Sequence, residues 1–234
     1  VVCDSAGRII ELRLAANRMY GVFAPEIQLL ASTIETIDLF NNFFLLTEGD
    51  QGNSWIAHMT NLKNLWFGTT SFEYDGVPTF FSGLTNLEQL DFSNTFYTEG
   101  PIRGEAFLNL PALRYVDMAD NVYTTRLPRQ ITNLPNLQYF YMDNVAFIGV
   151  DQSLRFVLGM SSIKEMWMDF TFFVGGIPPE IGQLQNLESL SLTFCGLTGP
   201  IPPQLGAMPR LDRLWLYQNS LTGQIPPELG NLER

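Results

Sequence analysis

Leucine and other apolar residues recur along the whole chain with a period of 24 to 28 residues. In "LSLTFCGLTGPIPPQLG" and "LWLYQNSLTGQIPPELG" each unit opens with two apolar residues two positions apart, the spacing of a β-strand with one buried face. The first residue of each pair is Leu12, Ile37, Leu65, Leu90, Val116, Phe140, Met166, Leu190 or Leu214. The pattern therefore predicts nine strands, each of which opens one structural repeat.

A single repeat of this length cannot bury its own apolar residues, so the repeats must stack. Stacking places the strands in a parallel sheet about 4.8 Å apart, and neighbouring repeats then close one continuous core. The period is typical of a leucine-rich solenoid. We therefore expect a right-handed α/β solenoid, with the parallel sheet on its concave face and 3-10, irregular or short helical segments on its convex side.

A short polar residue follows most of the predicted strands. We call these positions the ladder: Asn17, Asn42, Thr70, Thr95, Asn121, Val145, Thr171, Cys195 and Asn219. Asn and Thr side chains can bond the backbone groups of the turn in which they lie. Because Val145 cannot, its turn is expected to be the least well satisfied, whereas Cys195 is expected to serve as a small ladder residue.

Two residues beyond the ladder, most repeats carry a large apolar side chain. These positions are Met19, Phe44, Phe72, Tyr97, Tyr123, Phe147, Phe173, Leu197 and Leu221. We expect them to stack as a hydrophobic spine on the side away from the strands. Two connectors, "LLTEGDQGNSW" and "YTEGPIRGEAF", exceed the period and are predicted to be surface loops, either as plain excursions or as a lateral rim for a ligand.

The second half of the later repeats carries a more specific motif. The segments "VGGIPPEIGQLQNLESL", "LTGPIPPQLG" and "LTGQIPPELG" resemble the plant-type leucine-rich repeat, LxxLxxLxLxxNxLxGxIPxxLGxLxx. This repeat occurs in the extracellular domains of plant receptor kinases and receptor-like proteins, and in polygalacturonase-inhibiting proteins. The opening "VVCDSAGRIIELRLAANRM" is similar to the end of that family's N-terminal cap. The resemblance implies a cap remnant at 1–8 and a single solenoid of about nine repeats at 9–234, C-terminally truncated within a tenth.

Composition and charge exclude several classes of function. With 13 Lys and Arg against 24 Asp and Glu, the net charge of −11 repels nucleic acid and anionic lipid surfaces. No uncharged apolar run is long enough to predict membrane insertion within this stretch. One histidine, His58, and two cysteines, Cys3 and Cys195, are too few for the usual nucleophilic triads, for a zinc site or for a disulfide framework. We therefore expect no enzyme activity, no catalytic or metal site and no cofactor.

The outward strand positions are aromatic and acidic, with three of the four tryptophans in one column. Such rings anchor peptide and protein interfaces and also stack on sugars. The predicted ligand-binding residues are Trp66, Asp91, Tyr115, Asp117, Asp120, Tyr139, Tyr141, Asp143, Glu165, Trp167, Asp169, Phe170, Phe194, Trp215 and Tyr217. Two alternatives stay open: the rings pack on one another and merely cover the strands, and water screens the aspartates.

The family resemblance implies an extracellular or cell-surface recognition module, the ectodomain of a receptor or receptor-like protein. Its expected partners are a peptide or protein ligand and a co-receptor. A basic, partly apolar peptide fits best, because cationic side chains would pair with the aspartates and stack on the rings. The alternative is a secreted protein that inhibits a hydrolase or binds cell-wall polysaccharide, in which case the ligand is another protein or a carbohydrate.

Overall fold

One long sheet runs through the molecule in the computed structural model, which describes residues 1–21, 25–47, 54–73, 76–95 and 100–232. Its ten strands are Val2–Cys3, Ile9–Arg13, Thr36–Asp38, Asn64–Trp66, Gln89–Asp91, Tyr115–Asp117, Tyr139–Tyr141, Glu165–Trp167, Ser189–Ser191 and Arg213–Trp215. The first strand pairs antiparallel with the second, and all later pairs are parallel. This order follows the chain, as expected of stacked repeats.

The register of the sheet agrees with the apolar period. Leu12 pairs with Ile37, and Leu190 pairs with Leu214, so the first apolar residue of each strand lies beside its equivalent in the next repeat. The side chains at these positions point into the core, and those from Ile37 to Leu190 are fully buried. The predicted leucine-rich solenoid is confirmed. The boundary between a cap and the solenoid at residue 8 stays a prediction.

The side of each repeat opposite the sheet consists of short helical segments. The α-helices are Ser54–Ala57 and Arg129–Thr132; the 3-10 helices are Pro25–Leu30, Thr79–Gly83, Gly104–Phe107, Leu154–Gly159, Pro179–Gln183, Pro203–Ala207 and Pro227–Asn231. In the last three repeats a Pro-Pro pair starts the 3-10 helix, since the fixed φ of proline suits a helix start. The predicted convex segments are therefore present.

Smaller parallel sheets flank the long one, just beyond the ladder. One has three strands, Tyr20–Gly21, Phe43–Thr47 and Ser71–Glu73. Two others have two strands each: Val122–Tyr123 with Ala146–Phe147, and Thr198–Pro200 with Ser220–Thr222. The predicted spine is buried at Tyr123, Phe173 and Leu197, but Met19 is exposed. Tyr97 and residues 48–53 and 97–99 of the two long connectors lie outside the described residues, as do the side chains of Phe44 and Phe72. The prediction of a surface loop is wrong for the rest of the second connector, because it contains the 3-10 helix Gly104–Phe107 and buries Ile102 and Phe107 in the core.

The ladder residues bond across repeats as well as within them. Asn121 Nδ2 donates to the carbonyls of Phe92 and Met118, while its Oδ1 accepts from the Thr95 amide. The Cys195 thiol lies 3.1 Å from the Met168 carbonyl, so this cysteine fills the ladder position as predicted. Burial raises the pKa of this thiol to about 12.

The expectation that the Val145 turn is poorly satisfied is wrong. The Thr171 hydroxyl of the next repeat donates to the Met142 carbonyl at 2.6 Å and accepts from the Val145 amide at 3.0 Å. One threonine thus bonds the turn that its neighbour leaves without a polar side chain. Sequence reasoning considered each turn alone and so missed a partner one repeat away.

Candidate ligand-binding face

The face of the long sheet that points away from the core carries the predicted residues. Its central column is in register from strand to strand: Arg13, Asp38, Trp66, Asp91, Asp117, Tyr141, Trp167, Ser191 and Trp215. Tyr139 and Glu165 belong to the column before it, and Asp143, Asp169 and Tyr217 lie two residues after it. Asp120, Phe170 and Phe194 lie in the turns at the edge of this face.

Adjacent aspartates form a half-buried acidic cluster in the middle of the face. Asp91 and Asp117 are direct partners on neighbouring strands, and Asp143 follows one repeat later. Each carboxylate accepts a backbone N–H bond: Asp91 from Ser93 at 2.9 Å, Asp117 from Ala119 at 3.0 Å, and Asp143 from Asp169 at 2.7 Å. These bonds hold the carboxylates in fixed positions on the sheet.

The surroundings of the cluster disfavour its ionised form. Burial, with the neighbouring Asp91 carboxylate, raises the pKa of Asp117 to about 7. Burial also raises the pKa of Asp143 to about 6 and, despite the bonds from Ser93, raises that of Asp91. Like charges on adjacent strands cost stability, so the cluster gains from any cation that binds to it.

Aromatic rings continue the face beyond the aspartates. Tyr115 and Tyr141 meet edge to face at 5.4 Å, and Tyr141 lies 5.1 Å from Trp167. The alternative in which the rings pack on one another therefore holds for these three. It does not account for the face as a whole, because Trp167 and Trp215 remain 37% exposed and Tyr217 remains 60% exposed.

A cavity of about 400 Å³ lies at the N-terminal end of the face. It is lined by Ala15, Asp38, Phe40, Trp66, Gln89, Asp91 and Tyr115. The Arg13 guanidinium lies over the Trp66 ring, 5.5 Å from its centroid. Gly68 makes room here, since a Cβ atom would lie 2.7 Å from the Asp91 carboxylate and 2.6 Å from the Ser93 hydroxyl.

The sequence prediction omitted Asp38 and Phe40 from this cavity, and it omitted Arg13. All three occupy outward columns of the sheet, so the repeat pattern in the sequence could have identified them. The structure thus extends the candidate face by two repeats toward the N-terminus.

A second, smaller cleft lies near the C-terminal end of the face. We call it the tryptophan cleft; its lining residues are Trp167, Asp169, Ser191, Trp215 and Tyr217, and its volume is about 250 Å³. The Trp167 indole N–H donates to the Ser189 hydroxyl at 3.2 Å. Across Ser189, Arg213 bonds the Glu165 carboxylate at 3.0 Å.

Two phenylalanines lie in backbone positions that do not suit them. Phe170 and Phe194 both have φ of 57°, where other repeats carry residues such as Asn144 and Asp120. A bulky side chain in this left-handed region costs about 1–2 kcal/mol. Their rings stack in parallel 4.8 Å apart and are 53% and 40% exposed. Neither burial nor turn propensity explains these residues, which is typical of a functional surface.

The predicted residues do not form one pocket. Trp66 and Trp215 are six strands apart, or about 29 Å, so the face is an extended surface with a cavity toward one end and a cleft toward the other. Among the described residues, no group of three or more His, Cys, Asp or Glu side chains could hold a metal ion. In the same part of the chain, no helix has the length and apolarity needed to cross a bilayer.

Comparison with known proteins places these repeats in a family. The Leucine Rich Repeat family model matches residues 186–208 and 210–232. The match covers the last two repeats, and the fold of the described chain is that of a leucine-rich-repeat solenoid. Its repeats are of the plant type, as the GxIPxxLG segments predicted. No curated protein matches this leucine-rich-repeat chain over its sequence.

Solved structures share the fold of this leucine-rich-repeat protein over nearly all of its length. The ectodomain of the receptor kinase GASSHO1/SCHENGEN3 from Arabidopsis thaliana, in complex with CASPARIAN STRIP INTEGRITY FACTOR 2, is 26% identical over 99% of this chain, with a TM-score of 0.80. The plant peptide hormone receptor RGFR1, in complex with RGF2, is 22% identical over 96%, with a TM-score of 0.78. The Leptospira interrogans protein LIC12759 is 25% identical over 96%, with a TM-score of 0.73.

These comparison proteins are all longer than the present chain. It spans 27% of the GASSHO1/SCHENGEN3 chain, 38% of the RGFR1 chain and 59% of LIC12759. The similarity therefore concerns the solenoid itself.

Proposed function

We propose that this leucine-rich-repeat protein is an extracellular recognition module, part of a cell-surface receptor or receptor-like protein, that binds a basic peptide across its concave face. The GASSHO1/SCHENGEN3 ectodomain, which is similar in sequence and fold, was solved in complex with CASPARIAN STRIP INTEGRITY FACTOR 2. That similarity supports a ligand-binding role. The choice of a basic peptide comes from the chemistry of the face.

The observation that carries the proposal is the juxtaposition of half-buried aspartates with exposed rings. Asp91 and Asp117 repel each other on adjacent strands, which destabilises the free protein. A Lys or Arg side chain of a ligand would relieve this repulsion. Its alkyl stem or guanidinium would at the same time cover rings such as Tyr141 and Trp167. A ligand with both positive charge and apolar surface uses the whole face.

The test is selection of peptide ligands from a random library, followed by measurement of affinity at 50 and 500 mM salt. We expect the selected peptides to be basic and their affinity to fall at least tenfold at high salt. The double variant Asp143→Asn with Asp169→Asn should weaken binding to a similar degree. A matched control, Glu26→Gln with Glu228→Gln, removes two exposed charges from the helical side of the repeats and should leave binding unchanged.

A secreted glycan-binding or hydrolase-inhibiting protein is the second candidate, favoured by the exposed Phe170 and Phe194 pair. A neutral oligosaccharide would stack on rings but gain little from charge. Its binding should therefore survive high salt and the Asp-to-Asn pair, yet be lost in Trp167→Ala. Selection of acidic peptides that bind to this face would contradict the basic-peptide proposal.

A further inference from the structure

The tryptophan cleft has the dimensions of a slot for one planar group. Trp167, Ser191 and Trp215 are consecutive partners in the sheet, so two large rings flank one small side chain. The strands that carry the two tryptophans are two spacings apart, about 9.6 Å, and the cleft has a volume of about 250 Å³. A planar guanidinium, which needs about 3.5 Å of contact distance on each face, is small enough for this volume. Ser191 is only 5% exposed, so its short side chain forms the floor of the cleft.

A fixed carboxylate lies beside this slot. Asp169 Oδ1 accepts from the Ser191 hydroxyl at 2.6 Å and from the Thr193 amide at 2.7 Å. These two bonds set the orientation of the carboxylate. Asp169 Oδ2 has no hydrogen-bond partner among the residues that the structure describes, and so can accept from a ligand.

The charge in the cleft is negative after the local ion pair is counted. The three strands that form it contain one basic residue, Arg213, and this side chain already binds Glu165 at 3.0 Å. The remaining charged neighbours are acidic: Asp169, and Asp143, whose Oδ1 accepts from the Asp169 amide. A cationic group is therefore favoured over a neutral or anionic one.

The chain itself places a guanidinium in a comparable arrangement at the other end of the face. Arg13, Asp38 and Trp66 are consecutive partners, and the Arg13 guanidinium lies over the Trp66 ring two strands away. Its Nε also donates to the Glu11 carboxylate at 2.8 Å, so this arginine combines a tryptophan face with a carboxylate. In the tryptophan cleft the rings and a carboxylate recur, and the described residues that line it include no basic side chain.

We propose that the tryptophan cleft binds one arginine side chain of the peptide ligand, held between Trp167 and Trp215 with its guanidinium on Asp169. This deepens the proposed function and rests on it. Arginine fits better than lysine because a planar guanidinium stacks on two rings and can donate two parallel bonds to a carboxylate. A sugar ring could enter the cleft, but it would leave the charge of Asp169 unbalanced.

The experiment uses the four tryptophans as reporters. In protein labelled with 15N-tryptophan, the indole signals are followed during titration with the peptide Ac-Gly-Arg-Gly-NH2. We expect the Trp167 and Trp215 signals to shift and those of Trp55 and Trp66 to stay in place. The lysine analogue should bind at least fivefold more weakly, and the uncharged citrulline analogue at least tenfold more weakly.

Two variants test the aromatic ring and the carboxylate of the cleft separately. Asp169→Asn retains an oxygen for the bonds from Ser191 and Thr193, and should lower the affinity for the arginine peptide at least tenfold. Trp215→Ala removes a partly exposed ring and should do the same, whereas the control Tyr20→Ala, which removes an exposed ring outside the face, should leave the affinity unchanged. Ser191→Trp would fill the slot, but it also removes the bond to Asp169, so it is a secondary test.

Several outcomes would overturn the cleft as an arginine site. Equal binding of the arginine and citrulline peptides would do so, as would shifts confined to Trp66. Shifts of Trp167 and Trp215 with cellohexaose but not with the arginine peptide would assign the cleft to sugars. If library-selected peptides bind the face without moving these two signals, the proposed function stands and the cleft assignment fails. If no library peptide binds but Ac-Gly-Arg-Gly-NH2 moves both signals, the cleft assignment stands and the proposed function fails.

Discussion

At the scale of single residues, the alternation of a strand decides what each side chain does. Leu190 and Trp215 lie on neighbouring strands, yet Leu190 is fully buried whereas Trp215 is 37% exposed. Leu190→Ala leaves a cavity between two core layers and should lower the free energy of unfolding by about 2–5 kcal/mol. Trp215→Ala should cost much less. Chemical denaturation of both variants measures the contrast, and equal losses would show that Trp215 belongs to the core.

This division between inward and outward residues is what the sequence could predict, because the period of two along a strand depends only on the backbone. Contacts between side chains of different repeats could not be predicted in the same way. The Arg213 and Glu165 ion pair joins residues 48 positions apart, and it depends on rotamers as well as on register. The left-handed φ of Phe170 and Phe194 was also hidden, since nothing in two phenylalanines signals it.

At the scale of elements, the ladder ties one repeat to the next. Thr171→Val keeps the shape of the side chain but removes the hydroxyl that bonds both the Met142 carbonyl and the Val145 amide. Each buried group left without a partner costs about 1–3 kcal/mol, so we expect a loss of about 2–4 kcal/mol. In the control Thr70→Val, the hydroxyl donates to the Phe67 carbonyl and, among the described residues, accepts no backbone bond, so the loss should be smaller.

Urea unfolding of the two threonine variants provides the measurement. A larger loss for Thr171→Val indicates that this threonine satisfies the turn of Val145 as well as taking its own place in the ladder. Equal losses would contradict this account. The strands and helices around the ladder were predictable from the apolar period, but this exchange of bonds between repeats was not, because it requires the positions of two turns at once.

At the scale of the whole molecule, the acidic cluster links stability to pH. The pKa of Asp117 is about 7 in the folded protein and about 3.9 in an unfolded chain, so the folded protein holds a proton that the unfolded chain releases. Stability should therefore fall as pH rises from about 4 to 7. Asp143 and Asp91, whose pKa values are also raised, act in the same direction.

Asp117→Asn removes this titration while retaining an oxygen for the bond from the Ala119 amide. Its melting temperature should exceed that of the wild type by at least about 3 °C at pH 8, and by much less at pH 4.5. The control Asp212→Asn changes an exposed residue on the last repeat and should show no such trend. A gain for Asp117→Asn that is larger at pH 4.5 than at pH 8 would contradict the assignment.

The same titration should govern binding of a basic peptide. A cationic ligand interacts with the ionised aspartates, so it must displace the protons that Asp117 and Asp143 hold near pH 6. Affinity should therefore rise at least tenfold between pH 5 and pH 8, with release of protons on binding at pH 6 that calorimetry in buffers of different ionisation enthalpy detects. The double variant Asp117→Asn with Asp143→Asn should bind more weakly at pH 8 and show little dependence on pH. A neutral glycan would bind the wild type with nearly the same affinity throughout this range, and a basic peptide that binds more tightly at pH 5 than at pH 8 would exclude these two carboxylates from its site.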